Sequence, residues 1–300
     1  MKYFHIPVLL TEVLENIIND INGIYIDTTF GGGGHSFGIL KKISNQGKLF
    51  AFDQDQFAII KNKNCDKRII FFNDNFRNLQ KILKAYKKTI LKNVSGIIAD
   101  LGVSSYQIDT PNRGFSIRFN KILDMRMDLS KQKSALNIIK NYSFEKLNKI
   151  FYKYGEFKNP QRISRKIVLN SKFLNTTLDL VNLFKRNNKR KFFSRLFQAL
   201  RIEVNDEINA LKKLLKQSIN ILKPGGKLAI ISYNSLEDRL VKNFFKSGNI
   251  QGIIRYDNKG KNLSPFNKKY TKIIFPTKEE IYKNNRARSA ILRITQKKGG

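Results

Sequence analysis

Short apolar runs, each closed by a turn, alternate with amphipathic stretches along the first hundred residues. The runs Ile24–Thr28, Lys48–Asp53, Arg68–Phe72 and Gly96–Asp100 predict strands. Between them, Gly34–Ile43, Gln56–Lys61 and Asn75–Tyr86 read as helices. Continuous rather than alternating apolar strands, interleaved with helices, predict a parallel sheet covered on both faces. A further strand, Lys227–Ser232, follows Leu222-Lys223-Pro224-Gly225-Gly226, which reads as a helix stop and turn. Thr271–Phe275 and Ala290–Ile294 predict a late hairpin-like pair completing the sheet.

The interval between the strands ending at Asp100 and Ser232 is too long for one crossover. Ala135–Asn141, Phe144–Tyr154, Gln161–Leu169, Thr177–Phe184 and Phe193–Leu215 read as helices. In the last of these, Phe197, Leu200, Val204, Ile208 and Leu211 repeat at helical spacing, a core-facing stripe. The pattern predicts a basic, helical, substrate-binding domain at 106–205, inserted into a domain made of 1–105 and 206–300. The run Lys185-Arg186-Asn187-Asn188-Lys189-Arg190-Lys191 falls in a loop between helices, where such runs are ordinarily solvated surface.

Charge narrows the partner class. The 300 residues carry 57 Lys and Arg against 23 Asp and Glu, a net charge of +34, which favours an anionic polymer. The richness in Lys, Asn, Ile and Phe is also what an AT-rich genome produces, so part of that charge is expected to be mutational background. No apolar run has the length of a membrane span. Glu12 and Glu15 interrupt the early apolar residues too soon for a signal peptide, so a cytoplasmic residence is expected. A single cysteine, Cys65, excludes an internal disulfide, and two histidines, His5 and His35, exclude a histidine-rich metal site, so no metal is expected.

The most specific local signal is Ile24-Tyr25-Ile26-Asp27-Thr28-Thr29-Phe30-Gly31-Gly32-Gly33-Gly34-His35-Ser36. A strand reaches an acid, breaks into glycines and enters a helix. Glycines let backbone approach a ligand closely, and the N–H groups of a helix start meet carboxylate or phosphate. The dinucleotide pattern G-x-G-x-x-G would require glycine where Ser36 stands, which weighs against an NAD-type oxidoreductase, the alternative enzyme class. Asp53 closes the second strand at the offset where such folds place a ribose-binding carboxylate. Asp27 and Asp100 close two more strands, and Asp100 with Gln107 could bracket the remainder of a cofactor. The last parallel strand runs into Tyr233-Asn234-Ser235-Leu236-Glu237-Asp238-Arg239, where Ser235 and Asp238 have capping-box-like spacing. Arg113, Arg126, Arg286 and Arg288 are candidate contacts to phosphates or bases.

Taken in order, these motifs resemble the RsmH (MraW) family, AdoMet-dependent methyltransferases acting on N4 of a cytosine in the decoding region of bacterial 16S ribosomal RNA. The pieces that carry the resemblance are His5-Ile6-Pro7-Val8-Leu9-Leu10, Asp27 through Ser36, Ala51-Phe52-Asp53-Gln54-Asp55, Asp100-Leu101-Gly102-Val103-Ser104-Ser105 with Gln107, Arg113-Gly114-Phe115-Ser116, Leu123-Asp124-Met125-Arg126-Met127-Asp128, Tyr154-Gly155-Glu156, Phe197-Gln198-Ala199-Leu200-Arg201-Ile202, Ser235-Leu236-Glu237-Asp238-Arg239 and Arg286-Ala287-Arg288-Ser289-Ala290. The resemblance implies an α/β, class I (Rossmann-like) methyltransferase sheet with an inserted helical domain. It implies S-adenosyl-L-methionine (AdoMet) held by Gly33, Gly34, His35, Asp53, Phe76, Asp100 and Gln107, with Asp100 nearest the chemistry. The implied partner is 16S rRNA or the small ribosomal subunit. A third possibility is an assembly factor that binds AdoMet without turnover. The chain departs from the pattern at Gly32, where a larger residue such as arginine is common, at Ile122, where proline is usual, and at Tyr233-Asn234, where Phe-His is usual.

Overall fold

The computed structural model describes residues 7–60, 66–185 and 190–299. His5, Ile6, Lys61, Cys65 and residues 186–189 of the basic run lie outside the described residues. The chain divides into two compact units, one made of 1–102 with 208–300 and the other of Val103–Glu207.

The first unit is built on a seven-stranded sheet. Its strands are β1 (Ile24–Asp27), β2 (Lys48–Phe52), β3 (Ile69–Phe72), β4 (Val94–Asp100), β5 (Leu222–Ser232), β6 (Lys272–Ile274) and β7 (Ile291–Gln296). They lie in the order β3-β2-β1-β4-β5-β7-β6. β1 to β5 pair in parallel, and β7 is antiparallel to both β5 and β6. The continuous apolar runs have a direct cause. Along each central strand, successive residues enter opposite cores. Tyr25, Leu49, Ala51, Ile98 and Ala229 pack on one face with Val13, Ile17 and Ile39 of the helices Leu10–Ile17 and Gly34–Lys42. Ile26, Phe50, Phe52, Ile97 and Ile230 pack on the other with Leu79, Leu214 and Phe244 of the helices Leu79–Tyr86, Glu207–Ile221 and Ser235–Ser247. A sheet apolar on both faces must be covered on both.

Two boundaries differ from expectation. Lys223–Gly226 is a bulge inside β5 rather than a turn before it. Val94 pairs with Leu222 and Gly96 with Lys227, so the extra residues loop out of the ladder, with Gly225 at φ 75°. The expected helix Phe193–Leu215 is two helices, Arg190–Asn205 and Glu207–Ile221, broken at Asp206, whose φ is 52°. The Asn205 side chain occupies itself at this break, accepting from the Met127 N–H at 2.8 Å and donating to the Met125 carbonyl at 2.8 Å. The stripe residues Phe197, Leu200, Val204, Ile208 and Leu211 are buried on both sides of it.

The second unit is helical, with Ala135–Asn141, Phe144–Lys153, Pro160–Asn170, Thr177–Leu183 and Arg190–Asn205 as its main helices. Two of the sequence motifs meet here as architecture. Gln198 Nε2 donates to the Tyr154 carbonyl at 3.0 Å, and Arg195 donates to the carbonyls of Gly155 and Glu156. The Tyr-Gly-Glu turn is thus held by the helix Arg190–Asn205.

Candidate functional site

The parallel strands of the first unit end together at the carboxyl edge of the sheet, and the acids seen in the sequence sit there. Asp27, 1 % exposed, ends β1. Its Oδ1 accepts from the Thr29 N–H at 3.0 Å and its Oδ2 from the Ser36 hydroxyl at 2.7 Å. Burial pushes this carboxyl upward, against the pull of His35 and the hydrogen bonds from Ser36 and Thr29. Asp27 therefore ties the strand to the helix Gly34–Lys42, which explains why serine stands where a dinucleotide site has glycine.

The glycine turn is fixed from several sides. The Gly31 N–H donates to Asp53 Oδ2 at 2.7 Å, and the Gly33 N–H to the Phe30 carbonyl at 2.7 Å. Gly33 is therefore a builder of the turn, whereas Gly34 and His35 begin the helix, where N–H groups have no carbonyl of their own helix to bond. The His35 ring is buried, with Nε2 3.0 Å from the Val8 carbonyl oxygen. Gly33 has φ 80°, and a Cβ there would lie 2.4 Å from Phe37 Cε2 and 2.8 Å from Phe30 Cζ. A Cβ on Gly32 would meet nothing within 4 Å. The larger residue common at that position in the family pattern therefore has room. Gly33→Ala is expected to lower stability by about 1–3 kcal/mol, from left-handed backbone strain and ring displacement. Gly32→Ala should leave the melting temperature unchanged; thermal melts of the two variants side by side check this.

Asp53 follows β2 and is half-buried. Its Oδ1 accepts from the Asp55 N–H at 2.8 Å, while Oδ2 takes the Gly31 N–H. Burial pushes its carboxyl up to about 7, although both backbone hydrogen bonds pull it down. Beside it, Asn75 Nδ2 donates to Gln54 Oε1 at 2.6 Å, linking the ends of β2 and β3. Asn75 also caps the turn Phe76–Asn78, holding the half-buried Phe76 ring where β3 ends. Asp100 ends β4; its N–H donates to Thr29 Oγ1 at 2.7 Å and its Oδ1 accepts from the Gly102 N–H at 3.1 Å. This donor set fits an adenosine cofactor. A carboxylate with acceptor capacity beyond its two N–H partners suits a ribose diol, and a half-buried phenyl suits an adenine face.

Some expected roles change. The cap of the helix Ser235–Ser247 is Asn234 rather than Ser235. The Asn234 side chain accepts from the N–H groups of Leu236 and Glu237, and Glu237 Oε2 accepts from the Tyr233 N–H at 2.9 Å. Asp238 instead grips Arg293 of β7 through two hydrogen bonds of 2.6 and 3.0 Å. The side chain at 234 is thus a helix cap. The motif around Arg286 is also explained in part. Ala287 and Ala290 are buried beneath the turn Asn285–Ser289, while Arg286 is half-buried and Arg288 exposed.

Within the second unit, Gln107 is 4 % exposed and closes a capping box with Ser104: its Oε1 accepts from the Ser104 N–H at 3.2 Å, and its N–H donates to Ser104 Oγ at 3.2 Å. Arg113 corrects an expectation. It is 5 % exposed, and its Nη2 donates to the carbonyls of Arg126 and Met127, so this guanidinium builds a loop instead of meeting a polyanion. Arg126 is held in a two-point pair with Asp124, at 2.7 and 2.9 Å, and donates to the carbonyls of Leu129 and Lys131. Met125 and Met127 are buried core residues. The Thr29 hydroxyl ties the turn after β1 to the end of β4 and the Ser36 hydroxyl ties the helix Gly34–Lys42 to the end of β1, and a residue type alone does not announce such ties.

Five parallel strands with a reversed seventh, a glycine turn after β1 and acids at the tips of β1, β2 and β4 define a Rossmann-like, class I methyltransferase fold. The chain belongs to the MraW methylase family, whose model matches residues 2–298. It is similar to "Ribosomal RNA small subunit methyltransferase H" of Karelsulcia muelleri (strain GWSS), at 53 % identity over 99 % of this chain and 100 % of the relative. Proteins of the same name match from Parabacteroides distasonis, at 45 % identity over 98 % of this chain and 97 % of the relative, and from Amoebophilus asiaticus, at 48 % over 98 % and 96 %. The oxidoreductase alternative gives way to this family. Among the described residues, no helix is long and apolar enough to cross a membrane, and no group of three or more His, Cys, Asp or Glu is placed to hold a metal ion.

Proposed function

We propose that this protein transfers a methyl group from AdoMet to N4 of a specific cytosine in the decoding region of 16S rRNA. Full-length similarity to proteins named for small-subunit ribosomal RNA methylation supports the substrate class. The observation that carries the chemistry is the Asp53–Gly31 bond, which joins the glycine turn to a ribose-type carboxylate at one sheet edge. In this reading Asp53 accepts from the ribose hydroxyls, Phe76 packs on adenine, and the N–H groups at Gly34 and His35 face the polar part of the cofactor.

Bound AdoMet supplies an activated methyl group on its sulfonium. The protein's task is then placement. A cytosine amine is a poor nucleophile because its lone pair is delocalised into the ring. Asp100 would accept a hydrogen bond from that amine, draw it towards sp³ geometry, and receive the proton the amine loses on methylation. The base is first unstacked from its neighbours, at a cost of a few kcal/mol met by binding elsewhere. Arg286 and Arg288 contact phosphates.

The test of the whole reading is tritiated methyl transfer to ribosomal RNA from cells lacking the enzyme, mapped to a nucleotide. Incorporation at a single decoding-region cytosine is expected. AdoMet binding without incorporation would leave an assembly factor instead. For the phosphate contacts, Arg286→Ala/Arg288→Ala should weaken RNA binding and lower the slope of log K against log salt by about one to two. An unchanged slope in filter binding would return both arginines to ordinary surface.

A further inference from the structure

We propose that Tyr233 is a positioning residue for methyl transfer, its hydroxyl donating to the Asp100 carboxylate and holding it in one orientation towards the substrate amine. The inference rests on the role given to Asp100 above and adds the group that aims it.

The geometry is local to the edge of β4 and β5. The Tyr233 hydroxyl lies within reach of the Asp100 carboxylate, which acts on it through its charge and its hydrogen-bonding capacity. A Cβ built on Gly102 would lie 3.1 Å from Asp100 Oδ1, 2.9 Å from Tyr233 Cε2 and 3.1 Å from Tyr233 Cζ. The hydroxyl-bearing end of the ring and the carboxylate thus flank one point, which only glycine leaves clear.

Both partners are anchored by their backbones. Asp100 is held through its N–H to Thr29 and its Oδ1 from Gly102. Tyr233 is held through its N–H to Glu237, a residue 3 % exposed whose own N–H is capped by Asn234. Burial, with Asp100, Glu237 and Glu280 nearby, keeps the phenol well above its ordinary value, so it remains a neutral donor.

An ionised carboxylate has about four acceptor sites. Gly102 and Tyr233 use two, which stops rotation of the group and leaves capacity for an amine. Phenylalanine, usual at this position in the family pattern, would fill the ring's space without making the bond. The hydroxyl is therefore separable from packing.

The experiment is Tyr233→Phe in the full chain, assayed by methyl transfer to unmodified small-subunit RNA, with AdoMet affinity by calorimetry and the melting temperature in parallel. The expected result is a kcat lower by about tenfold, the loss of one oriented hydrogen bond, with AdoMet Kd within twofold and the melting temperature unchanged. An undiminished kcat overturns the proposal, and so does a fall in kcat matched by weaker AdoMet binding or a lower melting temperature. Asp100→Asn, run beside it, separates the two ideas. If Asp100→Asn is impaired and Tyr233→Phe is not, only the positioning role falls. If Asp100→Asn retains full kcat, the role given to Asp100 falls, and the positioning role with it.

Discussion

Asp53→Ala should lose AdoMet affinity by about a hundredfold or more. Charge-assisted hydrogen bonds to ionised groups contribute roughly 1.5–3 kcal/mol each, and a ribose diol makes two. The fold should survive, because the bond lost with Gly31 leaves the remaining ties of the turn in place. The affinity of the unaltered protein should also depend on pH in a defined direction. The Asp53 carboxyl is raised from 3.8 to about 7, chiefly by burial. A diol prefers the ionised form, so binding below this value must release a proton, and affinity should fall about tenfold per pH unit below 7 and level off above it. The free protein behaves oppositely. The stability linked to protonated Asp53 is fully present below the unfolded value of 3.8 and is lost as pH rises through 7. Calorimetry in buffers of different ionisation enthalpy measures the released proton directly. A pH-independent affinity with no proton release would remove Asp53 from the ribose.

The second large effect is at Asp100. Asp100→Ala should cut methyl transfer by about a thousandfold, the middle of the range for a positioned acceptor or base. The strand end should remain, because the bond from its N–H to Thr29 belongs to the backbone. Thermal melts and AdoMet titration of the same preparation show whether the loss lies in chemistry, in cofactor binding or in folding. Full transfer by Asp100→Ala would exclude the residue from both tasks.

The parallel core and the glycine turn were legible because their causes are local. Strands buried on both faces must be continuously apolar, and a strand-to-helix turn must carry glycine at Gly33. Capping was misplaced at Ser235 because Ser235, Asn234 and their acidic neighbours all satisfy the spacing, and only backbone direction selects Asn234 with Glu237. The break at Asp206 was invisible because its cause, Asn205 bonding to Met125 and Met127, lies about 80 residues away in the chain. Arg113 read as a phosphate contact because a guanidinium in a loop is ordinarily solvated. Its burial against two carbonyls is a long-loop effect.

The amino-acid order alone therefore determined the layers of the sheet, the glycine turn and the acids that close β1, β2 and β4, since each follows from burial pattern and backbone freedom within a few residues. Only the tertiary structure decided which of those polar groups are sealed into the frame and which stay open at the sheet edge. Asp27, with Thr29 and Ser36 as partners, is buried, whereas Asp53, with the same number of partners in Gly31 and Asp55, is only half-buried at the edge. The physical reason is that burial and hydrogen-bond pairing are set in space: both carboxylates close a strand, but Asp27 is covered by its own turn and helix, whereas Asp53 takes one N–H from 22 residues away and keeps part of its surface open.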